Sequence, residues 1–218
     1  MLGIDNIVFI SILVDRLPPE RREIARRIGL FLAMFMRIAL LLTIAWIIGL
    51  TAPIVTVLGN EISGRDLILL AGGLFLIWKA TGEIHEMYED HAGHKAPGAA
   101  EALRASFGAI TGQIIVIDLV FSLDSIITAV GMVDEVRVMI AAVVASVILM
   151  MVAAGPIGRF VSRHPTVKML ALAFLIMIGT ALVADGLDYH VPKGYIYFAM
   201  AFSVGVEMLN LRLRRRMG

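Results

Sequence analysis

Long uninterrupted apolar runs separated by short polar clusters organise this chain. Six of them, at about 28–50, 66–84, 107–132, 137–158, 167–185 and 195–211, approach or exceed the ~20 residues a helix needs to cross a bilayer. The runs are continuous rather than alternating. Lipid offers no partner to an unpaired backbone group, so they predict helices and not the strands of an outer-membrane barrel. A seventh stretch, residues 2–14, holds 13 residues. As a helix it reaches about 20 Å, short of a hydrocarbon core of about 30 Å. No basic residue precedes it and no small-residue cleavage site follows, so it reads as the second half of a helix rather than a signal peptide.

Composition agrees with the pattern. The 218 residues are 59% apolar and 17% charged, with no cysteine, against about 45–50% and about 25% in a soluble domain. That balance excludes a soluble enzyme, a disordered chain and a disulfide scaffold, and predicts an integral membrane protein. A net charge of +1 gives no reason to expect a nucleic-acid partner.

The placement of basic residues carries more than their sum. Successive loops and the tail hold 5, 1, 3, 1, 3, 1 and 4 Lys or Arg, which accounts for 18 of the 19. The first group is Arg16, Arg21, Arg22, Arg26 and Arg27, and the last is Arg212, Arg214, Arg215 and Arg216. The positive-inside rule then predicts an outside N-terminus and a cytoplasmic C-terminus. The nineteenth, Arg37, falls in the middle of the second span.

Two segment pairs look alike. Leu-Gly-Ile-Asp-Asn-Ile at 2–7 matches Phe-Ser-Leu-Asp-Ser-Ile at 121–126, and Phe-Leu-Ile-Trp-Lys-Ala-Thr at 75–81 matches Phe-Leu-Ile-Met-Ile-Gly-Thr at 174–180. They occur in the same order in spans one and four and in spans three and six. An odd number of crossings separates the copies, which predicts an inverted repeat. The expected fold is an all-α polytopic bundle of seven helices, the first incomplete. Residues 1–85 form one three-helix repeat, 86–106 a cytoplasmic polar loop, 107–190 the second, inverted repeat, and 191–218 a last helix with a basic tail. Asp118 lies six residues before Asp124, and the same step back from Asp5 falls before Met1. The expectation is a true start upstream, with a short re-entrant segment as the alternative.

Charges at the bilayer centre cost about 2.5–3.5 kcal/mol each on insertion scales, so they need a reason. Thr111, Asp118, Ser122 and Ser125 follow a spacing that puts them on one face of span four. Asp124 and Thr128 form a neighbouring stripe. Asp5 and Asn6 of the inverted partner add further oxygens. Such a set suits a hard divalent cation, and the absence of cysteine excludes a thiolate site. Arg37 would neutralise the carboxylates of an empty site, or belong to a purely structural Asp–Arg pair. Glu207 shares a face with Ser203, Asn210 and Arg214, which suggests a structural role near the cytoplasmic end. Lys79 and Glu83 stand at i, i+4 where span three should leave the membrane. Beyond them, His85, Glu86, His91 and His94 lie in what reads as a solvated polar loop, or else a cytoplasmic metal-gathering one. Gly72, Gly73 and Gly179 suggest close helix packing.

At these residues the sequence resembles the TerC family of bacterial integral membrane proteins, in the wider LysE-type transporter superfamily. The likeness rests on Leu-Gly-Ile-Asp-Asn at 2–6, Glu-Ile-Ser-Gly-Arg-Asp-Leu at 61–67 and Asp-Leu-Val-Phe-Ser-Leu-Asp-Ser at 118–125. The segments at 192–203 and 206–211 add to it. The resemblance implies seven spans, two inverted units and efflux of metal, chiefly Mn2+. It places the family's acidic motifs on Asp5 with Asn6 and on Asp118, Asp124 and Ser125; Ser122, Thr128, Arg37 and Glu207 support that site by their own positions in the spans. Similar members carry a Glu six positions before the first aspartate, a position that falls before Met1 of this sequence.

The expected function is therefore secondary export of a hard divalent cation, Mn2+ foremost, with the lipid bilayer as surroundings. No permanently bound cofactor, no enzymatic activity and no nucleic acid are expected, and a homo-oligomer is left open. No phosphate-binding Gly-x-x-x-x-Gly-Lys loop occurs, so coupling would come from protons or the membrane potential. Export of amino acids or small organic cations is an alternative, as is a non-transporting partner in secretion or stress response.

Overall fold

The computed structural model describes residues 3–15, 17–43, 53–57, 60–91, 107–130 and 135–217. Seven helices occur among them: α1 (Gly3–Val14), α2 (Pro19–Leu42), α3 (Gly64–His91), α4 (Phe107–Val130), α5 (Val136–Arg163), α6 (Pro165–Asp185) and α7 (Lys193–Met217). Between α2 and α3 an antiparallel hairpin pairs β1 (Pro53–Val57) with β2 (Asn60–Ser63), Val57 opposite Asn60. Among the described residues, four helical stretches are long and apolar enough to cross a membrane: Gly64–Glu89, Val136–Arg163, Pro165–Asp185 and Lys193–Arg214.

Most helices overrun the apolar segments that predict them, because a started helix continues through good helix formers whatever their polarity. The second differs most. Its apolar run predicts 28–50, whereas α2 begins at Pro19. Proline suits the first helical position, Glu20 complements the N-terminal dipole, and the Glu-, Ala- and Arg-rich residues that follow favour helix. Four of the five arginines assigned to a linker are thus helical; Arg16 and residues 44–52 lie outside the described residues. The polar loop expected from residue 86 is likewise helical as far as His91, with 92–106 outside the described residues. The hairpin went unpredicted because its short β-branched run is flanked by apolar sequence. It leads into α3 through a reciprocal cap. The Ser63 amide and hydroxyl donate to Asp66 Oδ2 at 2.9 and 2.6 Å, and the Asp66 amide donates to Ser63 Oγ at 3.3 Å.

Helix α1 is the hub. Phe9, Ile10, Ile12, Leu13 and Val14 are all buried, and α1 packs on α2, α4, α5 and α6. A helix apolar all round belongs inside a bundle. The third and sixth helices make the most extensive contact. A Cβ on Gly73 would come within 2.6 Å of the Gly179 carbonyl oxygen, and one on Gly179 within 2.9 Å of the Gly73 carbonyl oxygen. One on Gly186 would meet the Asp66 carbonyl oxygen at 2.9 Å. As the number rises along α3 it falls along α6, so the two run antiparallel. Ser11 of α1 and Asp15, directly after its last residue, meet Gly158 and Ser162 of α5, which makes that pair parallel. Gly29 and Arg37 of α2 meet Ile114 and Asp118 of α4, also parallel. These directions agree with helices that alternate in sense along the chain.

Candidate functional site

Helix α4 runs 24 residues and carries Asp118, only 3% exposed, in its middle. Three donors from three helices converge on that carboxylate. Asn6 of α1 donates its Nδ2 to Oδ1 at 3.0 Å. Arg37 of α2 donates Nε to Oδ2 at 3.0 Å and Nη2 to Oδ1. Ser122, one turn along α4, donates Oγ to Oδ2 at 3.2 Å. Each carboxylate oxygen accepts two hydrogen bonds, and the guanidinium supplies the compensating charge. A carboxylate so deep in the bundle is tolerable only with such a partner.

The site expected from the sequence is thus partly assembled. Asn6, Arg37, Asp118 and Ser122 come together. Ser125 instead turns its hydroxyl to the Phe121 carbonyl oxygen of its own helix at 2.9 Å. Asp5 follows the α1 backbone beside Asn6, and Asp124 and Thr128 lie on α4; their side chains are outside the described residues. Among the described residues no three His, Asp or Glu side chains gather closely enough to hold a metal ion. Glu207 accepts a hydrogen bond from Thr166 Oγ1 and one from Asn210 Nδ2 at 3.4 Å, and so ties α7 to α6. Near the C-terminal end of α3, His85 faces Glu89 at 3.4 Å, and His85 and Glu86 are exposed. The His91 side chain and His94 lie outside the described residues.

Some polar positions differ from expectation or were missed. Lys79 and Glu83 do form an ion pair at 3.2 Å, but Glu83 is buried at 3% exposure rather than reaching for the interface. The reason lies in helical register: Gly72, Leu76, Lys79 and Glu83 share one face, and a Cβ on Gly72 would meet Val120 of α4 at 2.5 Å. The spacing from Gly72 was the available signal. On α4, Thr111 Oγ1 and Gln113 Oε1 are buried with no hydrogen-bond partner among the described residues. Arg26, assigned to a polar linker, is also buried; its Nη1 donates to the Ala154 carbonyl oxygen of α5 at 3.2 Å, and it pairs with Glu23.

Known proteins resemble the whole chain. It is 57% identical over 217 residues to a "UPF0053 protein" of Haemophilus influenzae, covering 100% of this chain and 90% of the relative. It is 56% identical over 211 residues to the "UPF0053 inner membrane protein YgdQ" of Escherichia coli, covering 97% and 87%. The "UPF0053 inner membrane protein YoaE" of Escherichia coli is 51% identical over 215 residues, which are 99% of this chain and 41% of that longer relative. No solved structure matches. The model of the integral membrane protein TerC family matches residues 1–217, and the chain belongs to that family.

Proposed function

We propose that this membrane protein is a secondary transporter that exports a hard divalent cation, Mn2+ foremost, through the site centred on Asp118. The observation that carries the reading is the convergence of Asn6, Arg37 and Ser122 on one deeply buried carboxylate. An arginine and an aspartate at membrane depth are expensive, and such residues mark ion pathways. The oxygen atoms of Asp118, Asn6 and Ser122 are of the kind Mn2+ accepts, and Asp5 and Asp124 lie on the same two helices. Arg37 holds the place of the cation in the empty state. A divalent ion at the same distance attracts the carboxylate about twice as strongly as the guanidinium, so loading displaces Arg37 and unloading restores it.

Export of a dication against an inside-negative potential of 100 mV costs about 4.6 kcal/mol, from about 2.3 per charge. Exchange for protons supplies that energy. The N-terminus then lies outside and the C-terminus in the cytoplasm, in the inner membrane. An inverted repeat of α1–α3 and α4–α6 accounts for the packing: exchanging α1 with α4, α2 with α5 and α3 with α6 turns the α1–α5 contact into α2–α4 and leaves α3–α6 unchanged.

The test is metal content and Mn2+ tolerance of cells that express the wild type or Asp118→Asn at equal membrane levels. The wild type is expected to lower cell Mn2+ and the variant to lose that effect. Equal protection by Asp118→Asn sinks the assignment. Vesicles loaded with Mn2+ or with amino acids separate cation export from organic-solute export.

A further inference from the structure

Between α1, α6 and α7 lies an apolar groove of about 110 Å3. Phe9, Ile12 and Leu175 make its buried floor, and Ala171, Met200 and Val204 its rim. It exists because α1 and α7 both pack on α6. A cavity lined this way stays dry and accepts an apolar guest.

One end of the groove is basic. Thr166 of α6 hydrogen-bonds Glu207 of α7, which sets the first turn of α6 level with residue 207. Arg214 follows Glu207 by two turns on the same face of α7, and Arg163 closes α5 directly before α6. Arg163, Arg212, Arg214 and Arg216 are exposed and Lys168 is half-buried. The acids nearby are engaged: Asp15 accepts from Ser162 Oγ at 2.6 Å and faces Arg22 at 3.3 Å, and Glu207 is held by Thr166 and Asn210. Positive charge at this end is therefore in excess.

An apolar slot with exposed arginines on two helices beyond one end has the two halves of one ligand class. We infer that this groove binds an anionic phospholipid, its acyl chain between α1, α6 and α7 and its phosphate against Arg163 and Arg214. The basic cluster selects the headgroup, as juxtamembrane arginines do for anionic lipids, and the groove fixes the chain. Such a lipid staples α7, whose main packing among the described residues is on α6, to the hub helix.

Native mass spectrometry of the full chain in detergent tests this. Phosphatidylglycerol and phosphatidylcholine with identical acyl chains are added in turn, with glycerol phosphate as the headgroup alone. Phosphatidylglycerol is expected to stay bound and raise Tm under conditions that strip phosphatidylcholine, and glycerol phosphate to do neither. Val204→Phe, which fills the groove from its exposed rim, and the pair Arg163→Gln with Arg214→Gln are each expected to cut retention at least tenfold. Equal retention of the two lipids, or unchanged retention in both variants, overturns the assignment. A dimer that Val204→Phe dissociates also overturns it, because a second copy then occupies the groove.

Discussion

Arg37 and Asp118 lie 81 residues apart in sequence, on the parallel helices α2 and α4, and the arginine donates to both oxygens of the aspartate. Removing one partner strands the other. Arg37→Gln should lower stability by about 3–5 kcal/mol, because it leaves a buried carboxylate without its counter-charge. The double variant Arg37→Gln with Asp118→Asn should recover most of that loss, since neither charge remains. Thermal unfolding of the wild type, the two single variants and the double variant in detergent measures the coupling. Transport should stay lost in the double variant, which separates folding from function.

The α3–α6 crossing tolerates no side chain. A methyl on Gly179 would meet the Gly73 carbonyl oxygen and Ile77 Cγ1, both at 2.9 Å. Backbone cannot yield cheaply there, so Gly179→Ala should cost about 1–3 kcal/mol. A methyl on Gly82, on the same helix as Gly73, would meet nothing within 4 Å. Gly82→Ala should stabilise by up to about 1 kcal/mol through helix propensity. Opposite shifts in unfolding temperature are the expected outcome, and equal shifts would refute the packing.

The pair of half-buried Lys79 with buried Glu83 gives a third prediction. Glu83→Gln leaves the Lys79 ammonium without a charged partner and should destabilise the fold by several kcal/mol. A surface pair of the same spacing would be worth only about 0.3–0.5 kcal/mol. The Tm of Glu83→Gln therefore distinguishes the buried arrangement from a pair at the interface.

Thr111 carries a buried hydroxyl without a partner among the described residues. Thr111→Val replaces it with a methyl of similar size and removes an unmet hydrogen-bonding group, a penalty of about 1–3 kcal/mol. The variant should unfold at a higher temperature than the wild type. A lower Tm would mean that the hydroxyl is bonded within the membrane.

The α4 site shows how far sequence reasoning reached. Helical spacing alone put Asp118 and Ser122 on one face, because residues one turn apart along a helix must share it. Arg37 could be named as a candidate counter-charge because few charges enter the spans. What spacing could not say is that Ser125 bonds its own backbone, or that Asn6 reaches Asp118, since both depend on how neighbouring helices rotate. The ends of α2 and α3 were misjudged for a related reason. Apolar length measures the lipid-facing part of a helix, and helix propensity carries the backbone beyond it.

The sequence by itself determined that the chain lives in a membrane as a helix bundle, because hydropathy and backbone hydrogen bonding leave no other solution. Loop charges and segment likeness also supported a reading of the order of crossings. Only the tertiary structure decided that α1 is the hub, that Gly73 meets Gly179, and that Glu83 is buried. Those outcomes turn on which helix faces meet, and nearly every face of these helices is apolar. Hydrophobicity drives such helices into the bilayer but cannot choose among their partners. Close packing of small residues and the pairing of a few buried charges make that choice, and both act between residues far apart in the chain.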